Sequence, residues 1–140
     1  MADTIDVTLV PLCHAVYELG ETRMISSGST GTRLISEITG ARYEGERFTA
    51  SLLGTANADW ATIDPDGRIQ VDVRLTLETE DGAVVFVHYE GRGDAATGVT
   101  YSAPLFETGD ERYAWLTRLQ AVGKSTFDGT RLEYEMFEVV

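Results

Sequence analysis

The chain has 140 residues, 43% hydrophobic and 24% charged: enough for one domain with a real core, without the polarity of a disordered chain or the ~20-residue apolar run of a spanning helix. A formal charge of -12, with Lys124 the only lysine, argues against nucleic acid and anionic membrane surfaces as partners, because their phosphates would be repelled. Cys13 stands alone, so no intrachain disulfide is available, and a small buried hydrophobe is its plainest role.

The opening Met1-Ala2-Asp3-Thr4-Ile5-Asp6-Val7 has neither the basic nor the apolar region of a secretory leader, so a cytoplasmic location is the expectation. Residues 5–12 are β-branched and read as a strand that Pro11 ends or kinks, and 13–19 as a second extended piece. Gly20, Gly28 and Gly31, with Ser26, Ser27 and Ser29, mark turns and a loop. Gly28-Ser29-Thr30-Gly31-Thr32 lacks the Gly-Lys-Ser/Thr ending of a phosphate cradle. Residues 33–38 and 47–53 are further strands, the second with Phe48, Ala50 and Leu52 on one side. The segment from Thr55 to Trp60 is less regular and sets Asp59 beside a large aromatic. Asp64-Pro65-Asp66-Gly67 is a turn.

Residues 70–92 then form the central hairpin. Val71, Val73, Leu75 and Leu77 alternate with Asp72, Arg74, Thr76 and Glu78, and Asp81-Gly82 supplies the reversal. A three-residue loop, Glu80-Asp81-Gly82, makes paired residue numbers sum to 162. Val85, Val87 and Tyr89 then join the apolar face, and Asp72, Arg74, His88 and Glu90 gather on the other. A two-residue turn shifts the sum to 163 and mixes the faces. The first register is favoured. After a loop at 92–98, residues 99–107 read as a strand interrupted by Pro104, 113–122 as a strand on the propensity of Trp and Tyr, and 131–140 as the last strand.

Eight or more short strands with no convincing helix indicate an all-β antiparallel domain spanning 1–140. The strands fit a sandwich or a closed barrel, and the wholly apolar hairpin face favours the barrel. Such barrels commonly self-associate, so a homo-oligomer, most simply a dimer, is expected.

Several pieces match one family in order and spacing: Thr39-Gly40 with Gly45, Ala58-Asp59-Trp60, Asp66-Gly67, Asp72-Val73-Arg74, Asp81-Gly82-Ala83, Gly91, Phe106-Glu107-Thr108-Gly109, Arg112-Tyr113-Ala114-Trp115-Leu116, and the closing residues 134–139. Across about two thirds of its length the chain thus resembles the bacterial DUF3237 or UPF0311 family. The resemblance implies a closed antiparallel β-barrel of about eight strands, similar to allene oxide cyclase and the calycins, with a central cavity. It implies no activity. Tyr89 and Thr117 stand where the family pattern has Asn, and the loop after Arg92 is shorter. If those positions line the cavity, this member has changed its ligand.

No metal-ligand spacing is visible between His14 and His88, and no nucleophile elbow exists. Cofactor-free acid–base chemistry remains. Asp59 beside Trp60 suits a raised pKa, Arg74 suits polarising a carbonyl or holding a carboxylate, Asp72 or Glu90 would orient Arg74, and His88 titrates near neutrality. Trp60, Tyr89, Glu90, Tyr101, Phe106, Trp115 and Thr117 are the candidate substrate contacts. The expected partner is a small apolar or aromatic molecule bearing a carbonyl, carboxylate or phenol, either isomerised, cyclised, dehydrated or cleaved in the cavity, or merely carried there. A solvated outer face is the competing account of the charged hairpin residues.

Overall fold

The computed structural model describes residues 4–140; the first three residues, part of the stretch read for a leader, lie outside the described chain. Ten strands follow in order: β1 Leu9–Gly28, β2 Gly31–Glu44, β3 Thr49–Leu52, β4 Ala58–Ile63, β5 Arg68–Thr79, β6 Val84–Asp94, β7 Val99–Ser102, β8 Leu105–Glu107, β9 Ala121–Phe127 and β10 Leu132–Val139, with a 3-10 helix Glu111–Thr117 before β9. All pairings between them are antiparallel.

The strands close into a hydrogen-bonded ring, β5-β4-β2-β1-β10-β9-β7-β6 and back to β5. β3 and β4 share one slot between β2 and β5, at opposite ends of it, and β8 extends the slot of β7 along β6. The all-β closed antiparallel architecture read from the sequence is therefore the one observed. Closure removes most of the unpaired edge that an open sheet of short strands would carry.

The β5–β6 hairpin is built in the first of the two registers. Thr79 N–H donates to the Ala83 carbonyl at 2.8 Å, Gly82 has φ 91°, and Asp72 faces Glu90, Val73 faces Tyr89 and Arg74 faces His88. The Thr79 hydroxyl accepts from Ala83 N–H and donates to Asp81, which fixes the turn from inside. Val71, Val73, Leu75, Leu77, Val85, Val87 and Tyr89 are all buried inside the ring. The ionisable residues of both strands point outward.

Three sequence expectations change. Pro11 does not end the first strand; β1 passes it with a bulge between Pro11 and Cys13 and continues for 20 residues. Gly20 and the serines at 26, 27 and 29 do not make a broad loop either: β1 runs to Gly28 and reverses tightly into β2, with register shifts absorbing the glycines. Residues 113–120 are not a strand, which begins only at Ala121. Asp110 accepts Arg112 N–H at 2.9 Å and holds the Arg112 guanidinium through Nε at 3.0 Å and Nη2 at 2.8 Å, and this cap starts the 3-10 helix. The helix puts Leu116, fully buried, into one end of the ring, where Phe48 meets the rings of Phe106 and Trp115 edge to face.

Two glycines separate conformational from steric demand. Gly82→Ala places a side chain at positive φ with open space around it and is expected to cost roughly 1 kcal/mol. Gly91→Ala puts a Cβ 2.2 Å from the Tyr101 carbonyl oxygen, so β6 and β7 must part. Urea denaturation should show the larger loss at Gly91, and equal losses would contradict this account of the ring's closure.

Candidate functional site

Strand alternation decides which candidates meet. Asp59 pairs with Ser36 on β2 and with Val73 on β5, so its carboxyl faces inward. Arg74 pairs with Ala58 and His88 on the opposite face, with its side chain 57% exposed. The ring wall thus separates Asp59 from Arg74, Asp72 and His88, and one cavity does not hold all four as the sequence reading expected.

Inside the ring, Asp59 belongs to a polar zone. Its Oδ1 accepts the Asp72 backbone N–H at 3.0 Å, in the stretch of the β4–β5 ladder between the pairs Asp59–Val73 and Thr62–Gln70. From the outer face, Arg33 Nη1 donates to the Trp60 carbonyl in the same stretch at 3.0 Å. Burial pushes the Asp59 carboxyl up to about 6; the Asp72 N–H opposes the shift and the Asp72 carboxylate adds to it. Four buried tyrosines lie deeper. Tyr89 O–H donates to the Tyr17 hydroxyl at 3.1 Å, the Tyr17 and Tyr43 hydroxyls are hydrogen-bonded, and Tyr134 packs on Tyr17 and Tyr89 with ring centroids 5.0 and 5.5 Å away. Burial is the first cause that raises all four phenol pKa values, so they stay neutral and able to donate.

The inner face has a polarity gradient. At the helix end, Phe48, Phe106 and Leu116 seal the ring with apolar contacts. At the Asp59 end, the inward positions Thr22, Met24, Leu34, Ser36, Ile69 and Phe127 are exposed or half-buried, so this end opens to solvent. The Thr22 and Ser36 hydroxyls hydrogen-bond there at 2.8 Å. Asp59 therefore lies between an open mouth and a closed tyrosine belt.

The remaining candidates divide in the same way. Tyr89 and Phe106 are inside, and Trp115 is half-buried near the sealed end, under the Arg47 guanidinium at 4.8 Å. Trp60 and Tyr101, 37% and 60% exposed, and Glu90 lie outside, as does Thr117, whose hydroxyl donates to the Ala114 carbonyl at 2.7 Å. Trp60, Asp72 and Glu90 line an external groove of about 470 Å³ with Arg33, Gln70 and Arg92. On this outer face Asp72, His88 and Glu90 also bring ligand atoms within 4.8 Å of one another, a donor set that the linear spacing did not reveal. Within this set His88 Nε2 is 3.5 Å from Asp72 Oδ1, and the Arg74 guanidinium reaches the same oxygen through Nε at 3.9 Å.

Sequence reasoning passed over Tyr17, Tyr43 and Tyr134. Tyr17 and Tyr43 are 26 residues apart, and Tyr17 and Tyr89 are 72 apart, so only ring closure brings their hydroxyls together. Period-2 alternation along each strand was the available signal. Cys13 is buried as expected and its thiol pKa is pushed up to about 12, chiefly by burial, so it is no nucleophile at neutral pH.

A family model described as "Protein of unknown function (DUF3237)" matches residues 7–99 and 92–139. A UPF0311 protein of Rhodopseudomonas palustris is 29% identical over 138 residues, covering 87% of this chain and 90% of that protein. The hydroalkoxylation enzyme phnH of Penicillium herquei is 29% identical over 91 residues, 65% of this chain and 56% of that one. Among solved structures, a beta-barrel like protein from Acinetobacter baumannii superposes with a TM-score of 0.87 at 25% identity and 100% coverage of both chains. An enzyme from Penicillium herquei superposes with a TM-score of 0.79 at 25% identity, covering 99% of each chain. No helix among the described residues is long and apolar enough to cross a membrane.

The Asp59 environment predicts a pH effect on stability. A folded pKa near 6, above the ordinary 3.8, means that between these values the native state holds a proton the unfolded chain has released. Unfolding free energy should therefore fall as pH rises from about 4 to 6, by on the order of 2 kcal/mol from this group. Urea titrations of the wild type and Asp59→Asn across this range should show that slope flattened in the variant.

Proposed function

The chain belongs to the DUF3237 family, and from that premise we propose that it is an acid–base enzyme using its own side chains on a small aromatic or conjugated molecule at the open end of the ring. The observation carrying this reading is a carboxyl with a pKa near 6 on the inner face, beside phenols that remain neutral. The relative named a hydroalkoxylation enzyme supports addition of a hydroxyl across a carbon–carbon double bond as the reaction class.

In such an addition the side chains of the inner face would take the following roles. Asp59, ionised above about pH 6, takes the proton of the substrate hydroxyl as its oxygen bonds to the far carbon of an alkene conjugated with a carbonyl. The π electrons move to the carbonyl oxygen, and a tyrosine O–H from the belt donates to the enolate that forms. The enolate carbon then takes the proton back from Asp59. One O–C bond and one C–H bond replace an O–H bond and a π bond, so product and substrate are isomers and no co-reactant is consumed. The closed apolar end keeps water from competing for the same carbon.

A carrier would need the same pocket but no proton transfer, and turnover separates the two. With ortho-hydroxyphenyl propenyl ketone, which closes to a methylchromanone, the wild type should accelerate loss of enone absorbance above the buffer rate. The rate should rise with pH through a midpoint near 6, since the base form acts. Asp59→Asn should lower kcat by about a hundredfold or more with KM changed little. Binding without turnover in both proteins would identify a carrier.

A further inference from the structure

We propose that Ser102 is a specificity-determining contact, reading a second oxygen of the substrate inside the ring. This rests on the reading above that the ring interior binds a small aromatic or conjugated molecule. Ser102 is 7% exposed, and its Oγ is buried with no hydrogen-bond partner. Buried hydroxyls in native proteins are nearly always satisfied, and an orphan costs stability that an alanine would not. The neighbouring buried serine is partnered: the Ser125 hydroxyl donates to the Thr100 carbonyl at 3.5 Å and is in reach of Tyr134.

The register places this orphan at the polar zone. Ser102 pairs with Gly91 on β6 and with Gly123 on β9, so it shares an inward row with Val71, Gly91, Gly123 and Met136. The row two residues away on one side carries Tyr89. The row on the other side carries Ser125 and Tyr134. Ser102 thus sits, by register, between the rows that carry Tyr89 and Tyr134, at a level where its flanking partners are glycines. Gly123 is needed for this: a Cβ there would lie 3.0 Å from the Ser102 Oγ and force it to move. A hydroxyl both donates and accepts, so the matching group is a second hydroxyl or carbonyl oxygen on the same ligand. The substrate class is a conjugated ketone bearing two oxygen substituents on its ring, one that adds and one that Ser102 holds.

The test compares ortho-hydroxyphenyl propenyl ketone with its analogue carrying one further ring hydroxyl. Calorimetric Kd values and turnover are measured for the wild type, Ser102→Ala, Gly123→Ala and Asp59→Asn. The wild type should bind the dihydroxy probe about tenfold more tightly. Ser102→Ala should bring the ratio of the two Kd values close to one without lowering the melting temperature, and Gly123→Ala should do the same by displacing the hydroxyl. Absence of the preference in the wild type, its survival in Ser102→Ala, or a fall in melting temperature in that variant each overturns the proposal. A Kd preference with no turnover of either probe would reject the acid–base reading while leaving the Ser102 contact standing. Turnover lost in Asp59→Asn without any Kd preference in the wild type would do the reverse.

Discussion

Everything inside the ring depends on the register of one hairpin. With Gly82 at positive φ and Thr79 paired to Ala83, the period-2 pattern of β5 and β6 falls into phase, and Tyr89 joins the valines and leucines on one face. A slip of one residue that kept the β5 valines and leucines inside would turn His88 and Glu90 inward and Tyr89 outward. Two ionisable groups in the closed interior would cost far more than a β-turn could supply. The turn chemistry and the burial energy therefore select the same register, and that agreement lets long-range strands close around it.

Closure creates an interior with two different ends. Aromatic and aliphatic side chains fill the end capped by the 3-10 helix, while tyrosines occupy the middle and Asp59 the approach from solvent. A carboxyl is tolerated there because one backbone N–H, that of Asp72, replaces part of its lost hydration and because it can hold a proton. The phenols differ. Fully buried and linked hydroxyl to hydroxyl, they have no means to ionise and serve only as donors and acceptors. Two kinds of acidic group in one space, with their proton affinities pushed to different heights, are what acid–base chemistry requires.

Much of the fold was legible because local and long-range preferences agreed. The hairpin, its three-residue loop, the Asp64–Gly67 turn and the Pro104 interruption follow from alternation and turn residues alone. Length of strand was harder. The glycines and serines of residues 20–29 read as breakers, yet a long curved strand uses such residues at its bulges, and this appears only when both neighbours are present. The segment at Tyr113 misled for a related reason: strand propensity of Trp and Tyr lost to a capped turn and to the need for Leu116 to fill the ring's end.

The site was legible in its carboxylate and not in its companions. Asp59 stood out because it adjoins Trp60, although the two side chains take opposite faces. Arg74 and His88 were grouped with it by the family resemblance and by their residue types, whereas the residues that share its interior come from β1, β2, β6, β9 and β10 and meet only after closure. The most direct test of an interior, partly desolvated Asp59 is its own titration, followed by the side-chain carboxyl carbon resonance with Asp59→Asn for assignment. A midpoint near 6 is the result this account predicts, and a midpoint near 3.8 would place the carboxylate in water and contradict it.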